Sequence, residues 1–201
     1  MGLYEKYVFP RVCDLCMRQF AKARGELVAS ARGRVVELGA GTCENVRHLV
    51  DVEEYVAVEP AAGMRALAEK NLAGKPFPTR YLEAPGEQVP LDAGSFDTVL
   101  MTFVLCTILD PAAALREARR LLAPTGKLVV LEHVRNPDPS VARWQERIDP
   151  LWRIAAVGCE LSRDSESRLR QAGFDTSSLE HLDVDAPKVF NWLIRGSLSV
   201  S

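Results

Sequence analysis

The sequence predicts an α/β protein with a doubly wound, mostly parallel sheet of seven strands and an antiparallel hairpin at one edge. Five short runs of β-branched and apolar residues alternate with segments whose apolar residues recur at helical spacing. This alternation is typical of a parallel sheet with helices on both faces. Two further strand-like runs follow each other closely around Pro187, and they predict the hairpin.

The position of each predicted strand and helix follows from the local pattern of apolar and polar residues. The five strands are expected at 34–38, 55–58, 77–82, 96–103 and 127–133. The helices are expected at 10–30, 42–50, 61–73, 111–122, 141–157 and 162–172. Asp110 as cap with Pro111 at the first position begins the fourth helix, and Ser162 is expected to cap the last one.

Composition limits the classes of function. The chain has 201 residues, 47% of them hydrophobic, which suits a single domain over 1–201. The net charge is −2 and the charges are mixed along the chain, so no nucleic-acid partner is expected. No apolar run approaches the roughly 20 residues of a membrane span, so no transmembrane segment is expected. We expect a small-molecule ligand and a monomer or homodimer.

The five cysteines are an odd number scattered among apolar neighbours, which is typical of a reduced, cytoplasmic protein. Cys13 and Cys16 form a single CxxC without a second pair or a nearby histidine. We interpret them as two small residues packed inward on one helix face, and no metal is expected.

The most informative segment is the glycine-containing turn after the first strand, ELGAGTC at 37–43. Gly39 and Gly41 allow the backbone to turn tightly and to approach a ligand. The helix that follows directs free N–H groups into the same space, which favours a carboxylate or a phosphate.

Two acidic residues accompany the turn. Glu59 ends the second strand about 20 residues later, a placement that suits hydrogen bonds to a ribose diol. Glu37, just beneath the turn, could orient the loop, hold an ammonium group through water, or be a satisfied buried acid. Glu44 stands where a dehydrogenase fingerprint has glycine, which argues against a nucleotide-dependent oxidoreductase.

From about residue 33 to 133 the sequence resembles the class I methyltransferases that use S-adenosylmethionine (SAM). The motifs are ELGAGT, VAVEP, GEQVPLDAGSFDTVLMTFVLC and LREARRLLAPTGKLVVLEH, in the family's order and spacing. The resemblance implies a Rossmann-like fold, SAM as cofactor and S-adenosylhomocysteine as product.

The resemblance also implies which residues bind the cofactor. They are Glu37, Gly39, Ala40 and Gly41 around the methionine part, Glu59 at the ribose hydroxyls, Pro60, Gly86 and Glu87 around adenine, and Thr102, Phe103 and Val104 beside the methionine amino group. The chain departs from the family pattern at two positions. Cys43 replaces a third glycine, which would leave its thiol near the ligand, and Pro85 replaces an acid that binds the adenine amine.

The carboxyl-terminal third is similar to the alkyl thiol S-methyltransferase subgroup, through LEHVRNPDP, RWQERIDPLWR and GCELSRDS. This similarity implies a small lipophilic thiol as acceptor, bound by helices within 134–172. The implied acceptor-site residues are Cys106, Asp149, Trp152, Cys159 and Arg163.

His133 ends the fifth strand and is the histidine expected at the ligand-binding edge, as a general base or as a structural hydrogen-bonding group. Trp144, Ile148 and Trp152 form a stripe that we expect to pack their helix onto the sheet. The helix within 1–30 is expected to cover the SAM site, with weak peripheral membrane contact as the alternative.

Three hypotheses about the function remain. The first is methyl transfer to a small-molecule nucleophile, preferably a thiol, with an O- or N-methyltransferase of a small metabolite or lipid as the variant. The second is a SAM-binding protein without turnover, which Cys43 and Pro85 keep open. The third is the oxidoreductase.

Overall fold

The computed structural model describes Val8, Arg11, Val12 and residues 17–201. Cys13 and Cys16 lie outside the described residues, as do most of the residues before 17, including part of the helix predicted at 10–30. The described helices are α1 (Ala21–Val28), α2 (Arg65–Leu72), α3 (Pro111–Leu121), α4 (Pro139–Ala155) and α5 (Ser165–Gln171), with 3-10 helices at Arg18–Phe20 and Glu44–His48. The strands are β1 (Arg32–Leu38), β2 (Asp51–Val58), β3 (Thr79–Leu82), β4 (Phe96–Thr102), β5 (Leu122–His133), β6 (Glu180–Asp183) and β7 (Trp192–Leu198).

The seven strands form one sheet in the order β3–β2–β1–β4–β5–β7–β6. Strands β1 to β5 are parallel, and β7 is antiparallel to both of its neighbours. The predicted fold class and the antiparallel edge are therefore confirmed. The strand order reverses between β1 and β4, so a crevice opens there at the carboxyl ends of the strands.

Two hydrophobic cores cover the two faces of the sheet. One packs α3 and α5 onto one face, and the other packs α1 and α2 onto the opposite face. A third, smaller cluster of Cys106, Cys159 and Leu161 lies beside α4. The described residues contain no helix that is both long enough and apolar enough to cross a bilayer.

Some predicted local features are wrong. Ser162 does not cap the last helix: α5 begins three residues later, and the Asp164 carboxylate accepts from the Ser167 amide at 3.0 Å. The predicted helix at 42–50 shrinks to a short 3-10 helix. The prediction that Trp144, Ile148 and Trp152 pack α4 onto the sheet is also wrong. Trp144 is 57% exposed, and Ile148 and Trp152 pack on the third cluster rather than on the sheet.

Candidate functional site

A cavity of about 650 Å³ opens at the carboxyl ends of β1, β2 and β4. This volume is within the usual range of roughly 300–1,000 Å³ for small-molecule sites. All eleven residues predicted to bind the cofactor line it: Glu37, Gly39, Ala40, Gly41, Glu59, Pro60, Gly86, Glu87, Thr102, Phe103 and Val104. The fold therefore brings the predicted set together.

The turn after β1 needs glycine for two different reasons. Gly39 has φ +70°, and a Cβ there would lie 2.2 Å from Cγ2 of Val104, so the backbone packs too closely for a side chain. Gly41 has φ +54° and no atom within 4 Å of an added Cβ. Gly41 thus presents bare backbone to the cavity, where a ligand can approach it closely.

Glu59 connects the loops that follow β1 and β2. Its carboxylate accepts from the Gly41 amide at 3.0 Å and from the Ala61 amide at 2.8 Å. Burial raises the pKa of Glu59, and the two amides act in the opposite direction. Each carboxylate oxygen has two lone pairs, so capacity remains for hydroxyl donors from a ligand.

Glu37 lies deeper and belongs to a buried network. It accepts from the Tyr55 hydroxyl at 2.5 Å and from Nδ2 of Asn45 at 2.7 Å. Nδ2 of Asn45 also donates to the Thr102 hydroxyl at 2.8 Å. Burial raises the pKa of Glu37 to about 7, so its carboxyl group gains or loses a proton near neutral pH.

Sequence reasoning missed Asn45. It lines the cavity, and its Oδ1 has no hydrogen-bond partner among the described residues. An unpaired amide oxygen beside the Glu37 carboxylate makes this corner of the cavity a place for a cationic, hydrogen-bonding group. The available signal was a polar side chain in the first turn after the glycine loop.

Arg24 of α1 was also missed. It lines the cavity, and its guanidinium carbon lies 5.5 Å from the centre of the Phe103 ring. Met17 lines the same wall, so residues just before the sheet contribute to the site. A single arginine in a mixed-charge helix gives no sequence signal of its own.

The prediction that the Cys43 thiol lies near the ligand is wrong. Its side chain is fully buried in the core under β1 and β2 and does not line the cavity. Burial raises the pKa of its thiol, and the nearby Glu37 carboxylate adds to the rise. The residue keeps the left-handed backbone that a glycine would adopt, with φ +60°. The substitution therefore affects backbone strain rather than the space for the ligand.

The acceptor-side residues lie outside the cavity wall. None of Cys106, His133, Asp149, Trp152, Cys159 and Arg163 lines it. The loops after β4 and α4 instead contribute Phe103, Thr107, Ile108, Leu109, Ala156 and Val157 to the wall.

Asp149 and Arg163 hold the loops of this region together. The Asp149 carboxylate accepts from the Leu161 amide at 2.7 Å and from the Ser162 hydroxyl at 2.5 Å. Arg163 donates to the backbone carbonyls of Leu105 and Ile108 at 2.6 and 2.9 Å. Both side chains are more than nine-tenths buried, so they position the cavity wall from behind.

His133 is packed between aromatic rings. The centre of its ring lies 5.1 Å from that of Phe20 and 4.8 Å from that of Phe103. Neither ring nitrogen has a hydrogen-bond partner among the described residues. Burial lowers the pKa of His133 to about 4, so the imidazole is neutral at physiological pH. The His133 side chain does not line the cavity, and its role as a base stays a prediction.

Glu132, the residue before it, was not singled out from the sequence. Its carboxylate accepts from three successive amides after β4, those of Val104, Leu105 and Cys106, at 2.8, 2.7 and 3.2 Å. It is fully buried, and burial raises its pKa to about 7. This one side chain fixes the start of the loop that lines the cavity with Val104, Thr107 and Ile108.

Comparison with known proteins identifies the family of the chain. A family model described as a methyltransferase domain matches residues 36–130. Human thiol S-methyltransferase TMT1B is 32% identical over 181 residues, covering 88% of this chain and 72% of the relative. Human thiol S-methyltransferase TMT1A is 29% identical, covering 89% of this chain and 75% of the relative.

The fold is shared with solved structures. A SAM-dependent methyltransferase from Thermotoga maritima, described as a possible histamine N-methyltransferase, superimposes with a TM-score of 0.64 at 24% identity. That comparison covers 95% of this chain and 98% of the other.

Proposed function

The chain belongs to the SAM-dependent methyltransferases, and from that premise we propose that it methylates a small molecule whose accepting atom is preferably a thiol sulfur. The observation that carries the thiol preference is the extent of the similarity to the human thiol S-methyltransferases. It covers 88% of the chain, whereas the general methyltransferase domain ends at residue 130. The likeness therefore includes segments beyond the cofactor-binding core.

The residues of the cavity fit SAM chemically. Glu59 would bind the ribose hydroxyls with the lone pairs that its two amide donors leave free. Glu37 and the unpaired Oδ1 of Asn45 would bind the ammonium group of the methionine part. Arg24 supplies a positive charge on the wall of the same cavity, suited to the carboxylate.

The proposed acceptor end is mostly apolar. Phe103, Ile108, Ala156 and Val157 would contact a lipophilic acceptor, with Thr107 as a polar neighbour, whereas Leu109 is 93% exposed. Bound SAM would supply an electrophilic methyl group, and in-line displacement at carbon depends mainly on alignment of the acceptor at roughly 3–3.5 Å. A thiol with a pKa of about 8.5 is a few per cent ionised at pH 7, so it needs little help from a base.

His133 remains our candidate for that base. If it acts as one, His133→Ala should lower turnover more at acidic than at alkaline pH. A loss of the same size at every pH would assign the imidazole a structural role instead.

Calorimetry and turnover assays test the proposal. We expect binding of SAM and S-adenosylhomocysteine, no binding of NAD, and turnover of alkyl thiols above that of matched phenols and amines. Failure to bind SAM at millimolar concentration would refute the whole proposal. Faster turnover of a phenol or an amine would refute only the thiol preference, and binding without any turnover would favour the SAM-binding protein.

A further inference from the structure

A group of metal-ligating side chains lies behind the acceptor end of the cavity, apart from the cofactor residues. Cys106 follows β4, His133 ends β5, and Cys159 follows α4. Their ligand atoms all lie within 4.8 Å of one another, and all three side chains are buried. Three separate segments thus bring two sulfurs and one imidazole into one buried cluster.

The separation of the two sulfurs suits a tetrahedral metal. Sγ of Cys106 and Sγ of Cys159 are 3.7 Å apart. Two thiolates bound to tetrahedral zinc at about 2.3 Å are about 3.8 Å apart, so the pair already has the spacing of one edge of the tetrahedron. A disulfide would need this separation to shrink to about 2.05 Å.

His133 is the feature that a thiol–thiol hydrogen bond leaves unexplained. Its side chain is 6% exposed, and neither ring nitrogen has a partner among the described residues. Buried imidazoles without any partner are rare in folded proteins. A neutral imidazole with a free lone pair is the form that binds zinc.

The two sulfurs share one contact, in which Sγ of Cys159 donates to Sγ of Cys106. Leu161, Ile148 and Phe190 form an apolar shell around the sulfurs. Soft sulfur donors with one imidazole favour zinc over magnesium or calcium.

We propose that Cys106, His133 and Cys159 bind one zinc ion. The two thiols would release their protons to solvent on binding, and a fourth ligand that is not one of these residues would complete the tetrahedron. The sequence predicted no metal, because the three residues are far apart in the chain and lack ligand spacing. The zinc would tie the loop after β4 and the loop after α4 to the end of β5. This inference does not depend on the acceptor being a thiol, but it excludes His133 as the general base, because an imidazole whose lone pair binds zinc cannot also accept a proton.

Zinc uptake by the reduced, full-length protein tests the site. The protein is stripped with a chelator, dialysed against zinc alone and analysed for metal per chain and for affinity by competition with a chromophoric chelator. We expect about one zinc per chain and a rise in melting temperature. His133→Ala or the pair Cys106→Ser and Cys159→Ser should weaken binding by at least about 100-fold, since each change removes direct ligands.

Matched controls use the other cysteines. The pair Cys13→Ser and Cys16→Ser, and separately Cys43→Ser, should keep the zinc. Cobalt(II) added to the unaltered protein should give sulfur-to-metal charge-transfer absorption, which does not require any variant to fold.

The proposal is overturned if the reduced protein takes up no zinc. It is equally overturned if folded variants of the three proposed ligands still bind zinc. Loss of zinc binding in the variant with Cys13→Ser and Cys16→Ser would overturn it as well. Because these measurements use neither SAM nor an acceptor, their failure would leave the methyltransferase proposal intact.

Discussion

The two ends of the cavity are built differently. At the cofactor end the buried acids are paired: Glu59 bridges two amides, and Glu37 accepts from Tyr55 and Asn45. At the proposed acceptor end the wall is mostly apolar, and the polar groups behind it include His133 and Trp152, whose ring nitrogens lack hydrogen-bond partners among the described residues. A site that binds one fixed polar ligand can have its partners arranged in advance, whereas an apolar wall selects mainly by shape.

Glu132 joins the two ends, and its removal should have the largest effect. Glu132→Ala leaves three buried amides without an acceptor, so we expect a loss of about 3 kcal/mol or more in the free energy of unfolding. Urea denaturation measures this, with the exposed Glu53→Ala as control. A loss similar to that of the control would show that the loop after β4 holds its shape without Glu132.

The next largest effect separates the two glycines of the cofactor end. In Gly39→Ala the new Cβ clashes with Val104, and we expect SAM affinity to fall by about 10- to 100-fold, equivalent to roughly 1.4–2.8 kcal/mol. Gly41→Ala meets no atom of the protein, so its stability should suffer only from the left-handed backbone, by about 1 kcal/mol. Calorimetry and thermal unfolding of both variants test the difference. Equal losses of stability for Gly39→Ala and Gly41→Ala in thermal unfolding would mean that the clash between the new Cβ at position 39 and Val104 costs nothing.

Glu59→Ala should weaken SAM binding by about 1–3 kcal/mol, because two ribose hydroxyls and two loop amides lose an acceptor. Glu69→Ala is the matched control, an exposed acid that pairs with Arg65. Calorimetry should show no change in affinity for that variant. An unchanged affinity in Glu59→Ala would refute the ribose role.

The smallest effect is a pH dependence at the cofactor end. The pKa of Glu37 is about 7 in the folded protein, so the carboxylate that would bind an ammonium group forms as pH rises to 7. We expect SAM affinity to rise between pH 5.5 and 7 by at most about tenfold per unit and then level off. Glu37→Gln should abolish the slope. Calorimetry at several pH values measures it, and a slope that persists in the variant would assign it to another group.

The same pKa fixes the sign of a stability effect. Between the ordinary value of 4.5 and about 7, the folded state keeps a proton on Glu37 that the unfolded state has lost. The contribution of this group therefore weakens as pH rises through that window. Glu37→Gln should remove that dependence from urea denaturation curves.

The cofactor end could be predicted from the sequence because its signals are local. Gly39, Gly41 and Glu59 each follow a strand, and strand ends meet at one edge of a parallel sheet. Cys43 shows the limit even there: the spacing located the residue, but the direction of its side chain depends on a left-handed backbone.

The acceptor end could not be predicted to the same depth. Cys106, His133 and Cys159 belong to three distant segments, and only the folded structure brings their ligand atoms within 4.8 Å of one another. Asp149 and Arg163 were expected to touch the acceptor, but they bind backbone groups of the surrounding loops. A buried polar residue of a matching motif can support the site from behind as readily as line it.

The bridge formed by Glu59 also bears on how the enzyme responds to its own product. Since the loops after β1 and β2 are joined within the protein itself, ligand binding does not have to order them. Entry and exit of a ligand therefore need no rearrangement of these two loops. The methyl donor and its demethylated product, which share the ribose that Glu59 would bind, would meet the same preformed bridge.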